Sequence, residues 1–341
     1  LTVQRFQRLA LLKFGALGDV LMSTPLLRQL RGKFPEAVID YWVAESFAGA
    51  LVENPHVSNV VRFPPGALIN RPGEFLALAR SLRQGRYDAI LLLDKHPVFG
   101  VLARLAGIPL RIGFARDSTM RWLINHCEPY GELRHEVYCD LDLMKGLGAQ
   151  PDYEDVALDY FPRTPVDPAD EFAAGNFAVC INSGGNNARE TTNLRRLETP
   201  LFQEILHQLA QHGSVILLGS ASDGEFYRSV KLPGNVRNLA GQLSLAQSAW
   251  LLERSAQVLC TDCGAMHLAT AAKAPRIATI WGPTHPERKK PLIGQVVTLW
   301  KDEDKYDPAY EIHGTQPTQR FHQSITPADL GAATRWAPTH V

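Results

Sequence analysis

The chain reads as an α/β protein made of two successive doubly wound domains, each a parallel sheet covered by helices. Three observations predict this. Short apolar strands alternate with helix-length amphipathic segments. The strands are apolar along their whole length rather than at every second residue, as in sheets buried on both faces. The alternation also halts at a proline-rich stretch and then restarts. With 341 residues, each half has enough chain to bury its own core.

The elements follow in order. "RLALLKF" (8–14) is a strand, and "VLMSTPLLRQLRGKF" is a helix with apolar residues at 20, 21, 26, 27 and 30. "AVIDYWVA" (37–44) is a strand, "FAGALVENP" a short helix and "VSNVVRF" a strand. "GEFLALARSLRQGRYD" is a helix stopping near Gly85, followed by the apolar strand "AILLLD" (89–94). "DYFPRTPVDPADEF" (159–172) has no periodicity and reads as a linker. Beyond it come the strand "FAVCINS", helix "LFQEILHQLAQHG", strand "SVILLGS", helix "SLAQSAWLLERS", strand "QVLCTD", helix "AMHLATAAKA" and strand "RIATIWG". The tail from 301 is polar and irregular until "SITPADLGAATRW", where Thr326 caps a last helix with Pro327 at its first position. The expected domains are 1–165 and 172–315, with the closing helix (about 325–337) packing back on the first. A cleft between the two is the expected ligand site.

Composition excludes several classes. Lys+Arg and Asp+Glu balance at 35 each, so no basic surplus points to nucleic acid. No stretch approaches the ~20 apolar residues of a membrane span, so any membrane contact is expected to be peripheral. The amino end leads into a glycine turn rather than a cleavage site and is not read as a signal peptide. Five cysteines form no framework, which suits reduced thiols in a cytoplasmic protein. "CTDC" (260–263) has no partner pair at zinc-site spacing. Neither a nucleophile elbow nor a Walker loop occurs.

Three turns carry chemistry. In "FGALGD", Gly15 and Gly18 end a strand and open a helix, but the third glycine of a dinucleotide fingerprint is missing. Asp19 would repel a pyrophosphate there, so it either caps the helix or points into the cleft as a base. In "CTDCGAMHLATAAKAP", the strand turns through Asp262, Cys263 and Gly264 into a helix whose free amides suit a diphosphate. Asp262 either caps that helix or accepts from sugar hydroxyls, and His267 is either a core histidine or faces the same anion. In "NSGGNNARETTNLRRL", Ser183 and Gly184 lead a glycine-rich loop toward Arg189, Arg195 and Arg196, which suits phosphate binding or a solvated loop. "CDLD" (Asp140, Asp142) has the letters of a metal-holding D-x-D, but on a helix those two side chains point apart. No metal or other cofactor is expected.

These residues together resemble glycosyltransferase family 9, the ADP-heptose:lipopolysaccharide heptosyltransferases. The resemblance runs from "LLKFGALGDVLMSTPLLRQLRGKFPEAVIDYWV" through "NPHVSNVV", "YDAILLLD", "RIGF" and "NLAGQLSLAQSAWLLERSAQVLCTDCGAMHLATAAKAPRIATIWGPTHP" to "SITPADL". It implies the GT-B architecture, two Rossmann-like domains with parallel sheets facing across a cleft. It also implies inverting, metal-independent transfer of a heptose-type sugar from a nucleoside-diphosphate donor, ADP-heptose first among them. The acceptor would be a lipopolysaccharide inner core or related glycan at the cytoplasmic face of a membrane. Carried over by position, Asp19 is the general base, and Asp262, Cys263, Gly264 and His267 form the donor block. Asp223 matches a ribose-holding acid, Leu243 packs on adenine, and Gly282, Pro283 and Thr284 form a loop near the donor. Gly18, Ser183, Gly184 and Arg196 join the donor set, with Arg195 as the phosphate cation. Arg62, Lys95, Arg111 and Arg116 lie in segments where relatives meet an anionic acceptor, and are either acceptor-binding residues or scattered surface charges. The chain departs from the family in "RRLE", where Arg195, Leu197 and Glu198 replace the lysine, tryptophan and proline of Lys-x-Trp-Pro. It departs again at His285, where aspartate is common. A different donor or acceptor, an epimerase, and a non-catalytic sugar-nucleotide-binding protein are the competing readings.

Overall fold

The computed structural model describes residues 5–64, 71–115, 118–168, 172–184, 194–315 and 317–337. The chain divides into two units, Leu1–Asp159 and Tyr160–Val341.

The first unit holds strands β1 (Arg8–Lys13), β2 (Val38–Ala44), β3 (Asn59–Phe63), β4 (Ala89–Leu92), β5 (Leu110–Ala115) and β6 (His126–Pro129). All pair in parallel, in the order β3-β2-β1-β4-β5-β6. Its helices are α1 (Leu17–Met22), α2 (Thr24–Lys33), α3 (Pro72–Gln84), α4 (Pro97–Leu105), α5 (Ser118–Leu123) and α6 (Glu136–Asp142). Ala10 and Leu12 of β1 and Ile90 and Leu92 of β4 join Leu78, Leu82, Phe99 and Leu102 in one core layer. Leu9, Leu11, Val20, Leu21, Leu26 and Leu27 are also buried, so β1 is covered on both faces, as its unbroken apolar run requires.

The second unit repeats the plan. Its strands are β7 (Phe177–Ile181), β8 (Ser214–Leu217), β9 (Val236–Asn238), β10 (Gln257–Thr261), β11 (Arg276–Trp281) and β12 (Gln295–Trp300). The order β12-β11-β10-β7-β8-β9 is the same winding as the first sheet. Its helices are α7 (Thr199–Ala210), α8 (Ala221–Arg228), α9 (Leu245–Arg254), α10 (Gly264–Ala271), α11 (Pro286–Lys289), α12 (Pro308–His313) and α13 (Gly331–Thr334). In each sheet the winding reverses once, between β1 and β4 and between β7 and β10. The carboxyl ends of those strand pairs are where this topology leaves a crevice for a ligand.

Three expectations need correcting. The single helix expected from Val20 is two: it starts at Leu17 and breaks at Ser23, because Pro25 at the start of α2 supplies no amide to the preceding turn. The tail beyond 301 is not irregular throughout, since Asp307 caps α12 through its side chain with Pro308 at the first position. The closing helix packs within the second unit. Trp336 Nε1–H donates to Leu209 O at 3.2 Å, Gln257 Nε2–H to Ala333 O at 2.5 Å, and Arg276 to Ala332 O and Arg335 O.

One glycine is fixed by its surroundings. Gly15 has φ +156°, and a Cβ built there would lie 2.2 Å from the Phe47 ring. Gly15→Ala is therefore expected to destabilise the first unit by roughly 1–3 kcal/mol through overpacking and backbone strain. Chemical denaturation of wild-type and variant protein checks this, and equal midpoints would contradict the account of that turn.

Candidate active site

In the first unit the strand β1 ends in Lys13, and the chain turns through Phe14, Gly15 and Ala16 into α1. Asp19 stands at the third position of that helix. Its Oδ2 accepts from the Ala16 N–H at 3.1 Å, so the side chain does close the turn, while remaining only half-buried. The carboxylate thus serves as a cap and still meets solvent. Gly18, just before it, is buried.

Behind Asp19 lies a set of buried charges. Lys13, 4% exposed, donates to Leu93 O and lies 3.7 Å from Asp94 Oδ1. Asp94, just past β4, accepts the Phe14 N–H at 2.5 Å. Lys95 bonds Glu136 Oε2 at 2.6 Å and lies over the rings of Phe114 and Tyr130, whose hydroxyl donates to Glu136 Oε1 at 2.6 Å. Burial and Lys95 oppose the charge of Lys13, yet Asp94, Asp19 and Asp140 hold its ionisation above the usual lysine range. Lys95 is raised in the same way: burial opposes it, and Glu136, Asp140 and Asp19 prevail. Burial pushes the Asp94 carboxyl up, with Lys13 and the Phe14 amide pulling against it.

Of the three acceptor candidates among the described residues, Lys95 alone joins this group. Arg62 is exposed on the edge strand β3. Arg111 stands near the amino end of β5, away from Asp19. It spends its guanidinium on the carbonyls of Leu123 (2.8 Å), Ile108 (2.6 Å) and Pro109 (3.3 Å), so the structure gives it a bracing role. Arg116 falls outside the described residues. Asp140 and Asp142 do point apart: Asp140 turns to the buried charges, and Asp142 to Lys145, Arg134 and Tyr153.

In the second unit the loops at the carboxyl ends of β7, β8, β9, β10 and β11 bring the donor candidates to one sheet edge. Asp262, 2% exposed, follows β10. Its Oδ2 accepts from Arg195 at 3.0 Å and from the Thr284 hydroxyl at 2.6 Å. Burial alone would raise this carboxyl, but Arg195, Lys289, the Thr284 hydrogen bond and His267 hold it below the usual carboxylate range. Cys263 then stands as N-cap of α10 without side-chain capping, so the amides at the start of Gly264–Ala271 have no cap from it. Burial pushes the Cys263 thiol up to about 12, which keeps it protonated and unreactive. His267, 5% exposed, lies one turn into α10 and reinforces the Asp262 charge.

The end of β7 is tied to the end of β10. Ser183 N–H donates to Thr261 Oγ1 at 3.2 Å, and that hydroxyl donates to Ser183 O at 2.8 Å. Gly184 is buried beside it, and Arg189 falls outside the described residues. Arg196 bonds Asp223 at 2.6 Å and lies over Phe226, while Asp223 also accepts from the amide and hydroxyl of Ser220. Leu243, half-buried, precedes the Ser244 cap of α9. Among the described residues no group of three His, Cys, Asp or Glu side chains is arranged to hold a metal ion.

His285 is explained by its local work. It is the N-cap of α11, with Nδ1 accepting the Glu287 N–H at 3.1 Å and Pro286 next in line, the task an aspartate would perform there. His96 and His135 cap α4 and α6 in the same way. Sequence reasoning missed α12, which brings the Tyr310 hydroxyl to Arg195 (3.3 and 3.4 Å) and Glu311 to the His285 N–H (3.2 Å). The Asp307–Pro308 pair was the signal for it. Lys13 and Asp94, lone charges at the ends of apolar strands, were likewise overlooked.

Comparison with known proteins fits this geometry. The glycosyltransferase family 9 (heptosyltransferase) profile matches residues 191–314. Lipopolysaccharide heptosyltransferase 2 of Escherichia coli is 28% identical over 291 residues, covering 81% of this chain and 82% of that protein. Its Salmonella typhimurium counterpart is 28% identical over 329 residues, covering 90% and 91%. Two solved structures share the fold. A glycosyl transferase family 9 protein from Veillonella parvula has TM-score 0.74 at 17% identity, covering 96% of this chain and 95% of its own. The E. coli ADP-heptose heptosyltransferase II has TM-score 0.68 at 23% identity, covering 90% and 96%. With two Rossmann-like units of identical winding, the chain is a glycosyltransferase of the GT-B architecture, similar to glycosyltransferase family 9 over the residues that its profile matches.

Proposed function

We propose that this enzyme moves a heptose from ADP-heptose to a hydroxyl of a lipopolysaccharide inner core or related glycan, with inversion and without a divalent metal. The observation that carries the reading is the Asp262 cluster. A leaving nucleoside diphosphate needs fixed positive charge and free amides, and the sugar beside it needs a fixed hydrogen-bond acceptor. Arg195, the start of α10 and Asp262 supply these within one buried group. The names of the relatives, which are lipopolysaccharide heptosyltransferases, support the choice of sugar and acceptor.

In this mechanism Asp19 takes the proton of the acceptor hydroxyl as its oxygen attacks the anomeric carbon, and the bond from that carbon to the diphosphate breaks on the opposite face. Arg195 and the amides of Cys263 and Gly264 carry the charge that develops on the diphosphate. Ser183, Gly184, Arg196, Asp223, Leu243, His267 and Thr284 hold the rest of the donor, and Gly18 shapes the turn that aims Asp19. Lys95, Arg62 and Arg116 would meet an anionic acceptor. No described helix is long and apolar enough to cross a membrane. We place the enzyme in the cytoplasm, in peripheral contact with the membrane that presents its acceptor.

Asp19→Asn is expected to keep ADP affinity and lose ~10²-fold or more in turnover, the usual cost of removing a general base. Turnover equal to wild type would remove Asp19 from that role. Arg195→Ala strips the hydrogen-bonded cation from a buried carboxylate. It should weaken ADP binding about tenfold and lower stability by about 3 kcal/mol, read by titration calorimetry and thermal unfolding. Undiminished ADP binding would sink the proposed cradle. In a thermal-shift panel of ADP, UDP, GDP and dTDP, ADP should stabilise most. Stabilisation by UDP or GDP and not by ADP would reject the heptose donor and leave the transferase standing.

A further inference from the structure

Four carboxylates and two ammonium groups meet near the carboxyl edge of the first sheet, and one of the carboxylates has a buried oxygen with no donor among the described residues. Glu136 and Asp140 stand one turn apart on the same face of α6, which packs against α1 and α2. Glu136 is satisfied by Lys95 and Tyr130. Asp94 is satisfied by the Phe14 amide and Lys13, and Asp19 by the Ala16 amide. Asp140 is 3% exposed, and its Oδ1 meets no donor among the described residues.

The charged groups that face Asp140 are Lys13 from β1, Asp19 from α1, Lys95 just past β4 and Glu136 from its own helix. Tyr41 of β2, hydrogen-bonded to Ser23, and the Cys139 thiol complete the titratable surroundings. An ionised Asp140 would hold a negative charge away from water with no described donor on its buried oxygen, at a cost of several kcal/mol. A proton on Asp140 removes that cost. The carboxylate with nothing donating to its buried oxygen is where that proton is held most easily.

We propose that Asp140 is a positioning residue that holds a proton beside Lys13 and Lys95 and, on releasing it, makes Asp19 a stronger base. This rests on the reading of Asp19 as the general base. While Asp140 is neutral, both ammonium groups serve Asp19, Asp94 and Glu136. Once Asp140 ionises it competes for the same cations, and Asp19 holds a proton more tightly. Burial, partly offset by Lys13 and Lys95, pushes the Asp140 carboxyl up to about 7, so the change falls near neutrality.

The test compares wild-type protein with Asp140→Asn, which keeps the shape of the neutral acid and cannot ionise. Wild-type turnover should rise about threefold between roughly pH 6 and 8 through this ionisation, as Brønsted behaviour of the base implies, and the variant should lack the rise. The same rise in both proteins overturns the proposal. Thermal stability gives a second reading that needs no catalysis. An acid whose folded ionisation lies above its unfolded value stabilises the fold at low pH and loses that contribution as pH climbs through the folded value. Wild-type Tm should therefore fall relative to the variant between about pH 4 and 7, and parallel Tm curves would overturn the proposal. If Asp140→Asn does not fold, Asp140→Leu takes its place in both comparisons. Unimpaired turnover in Asp19→Asn would defeat the base assignment alone, because the Tm comparison would still decide whether Asp140 holds a proton.

Discussion

A carboxylate sealed from water must be neutralised where it stands, and the pairing of Asp262 with Arg195 and Thr284 meets that requirement at the head of α10. Much else at that edge follows from this contact. It draws the chain after β11 onto the end of β10 through Thr284, and it fixes Arg195, which in turn holds the Tyr310 hydroxyl of α12. Because Asp262 is held ionised, the site keeps a strong acceptor next to a strong cation, the combination that the proposed sugar-diphosphate donor would need. The Ser183–Thr261 hydrogen bonds close the same edge from the β7 side.

The first unit uses the same winding for different chemistry. Its reversal point, between β1 and β4, presents Lys13 and Asp94 where the second unit presents Ser183 and Asp262. Its charges are acid-rich and bury their cations, so the half-exposed Asp19 sits above a set of groups whose protonation is coupled. On the proposed reading, one topology thus serves an anion-holding edge in one unit and a proton-accepting edge in the other. The difference lies in which residues end the strands.

Much of this was legible in the sequence because strands such as "LALLK" and "AILLL" are apolar without interruption and are punctuated by glycine turns. The segments that escaped notice break that pattern for identifiable reasons. "LRIGFA" carries Arg111 and Gly113, "HCEP" is half polar, and "VRN" is three residues long, so none reads as a strand. The donor candidates could be picked out as a set because each follows an apolar strand in a turn with a small residue or an acid. The charges behind Asp19 were not, since a lysine or aspartate closing a strand looks like ordinary solvent-facing punctuation until burial is known. Arg111 failed as an acceptor candidate because backbone carbonyls at the far end of its strand claim its guanidinium.

The claim that the second unit holds the nucleotide at the Asp262 cluster is tested most directly by amide hydrogen exchange with and without ADP. The account calls for slowed exchange at residues 261–268, where the turn and the first amides of α10 would bind the diphosphate. Exchange unchanged there, with slowing confined to other segments, would contradict it.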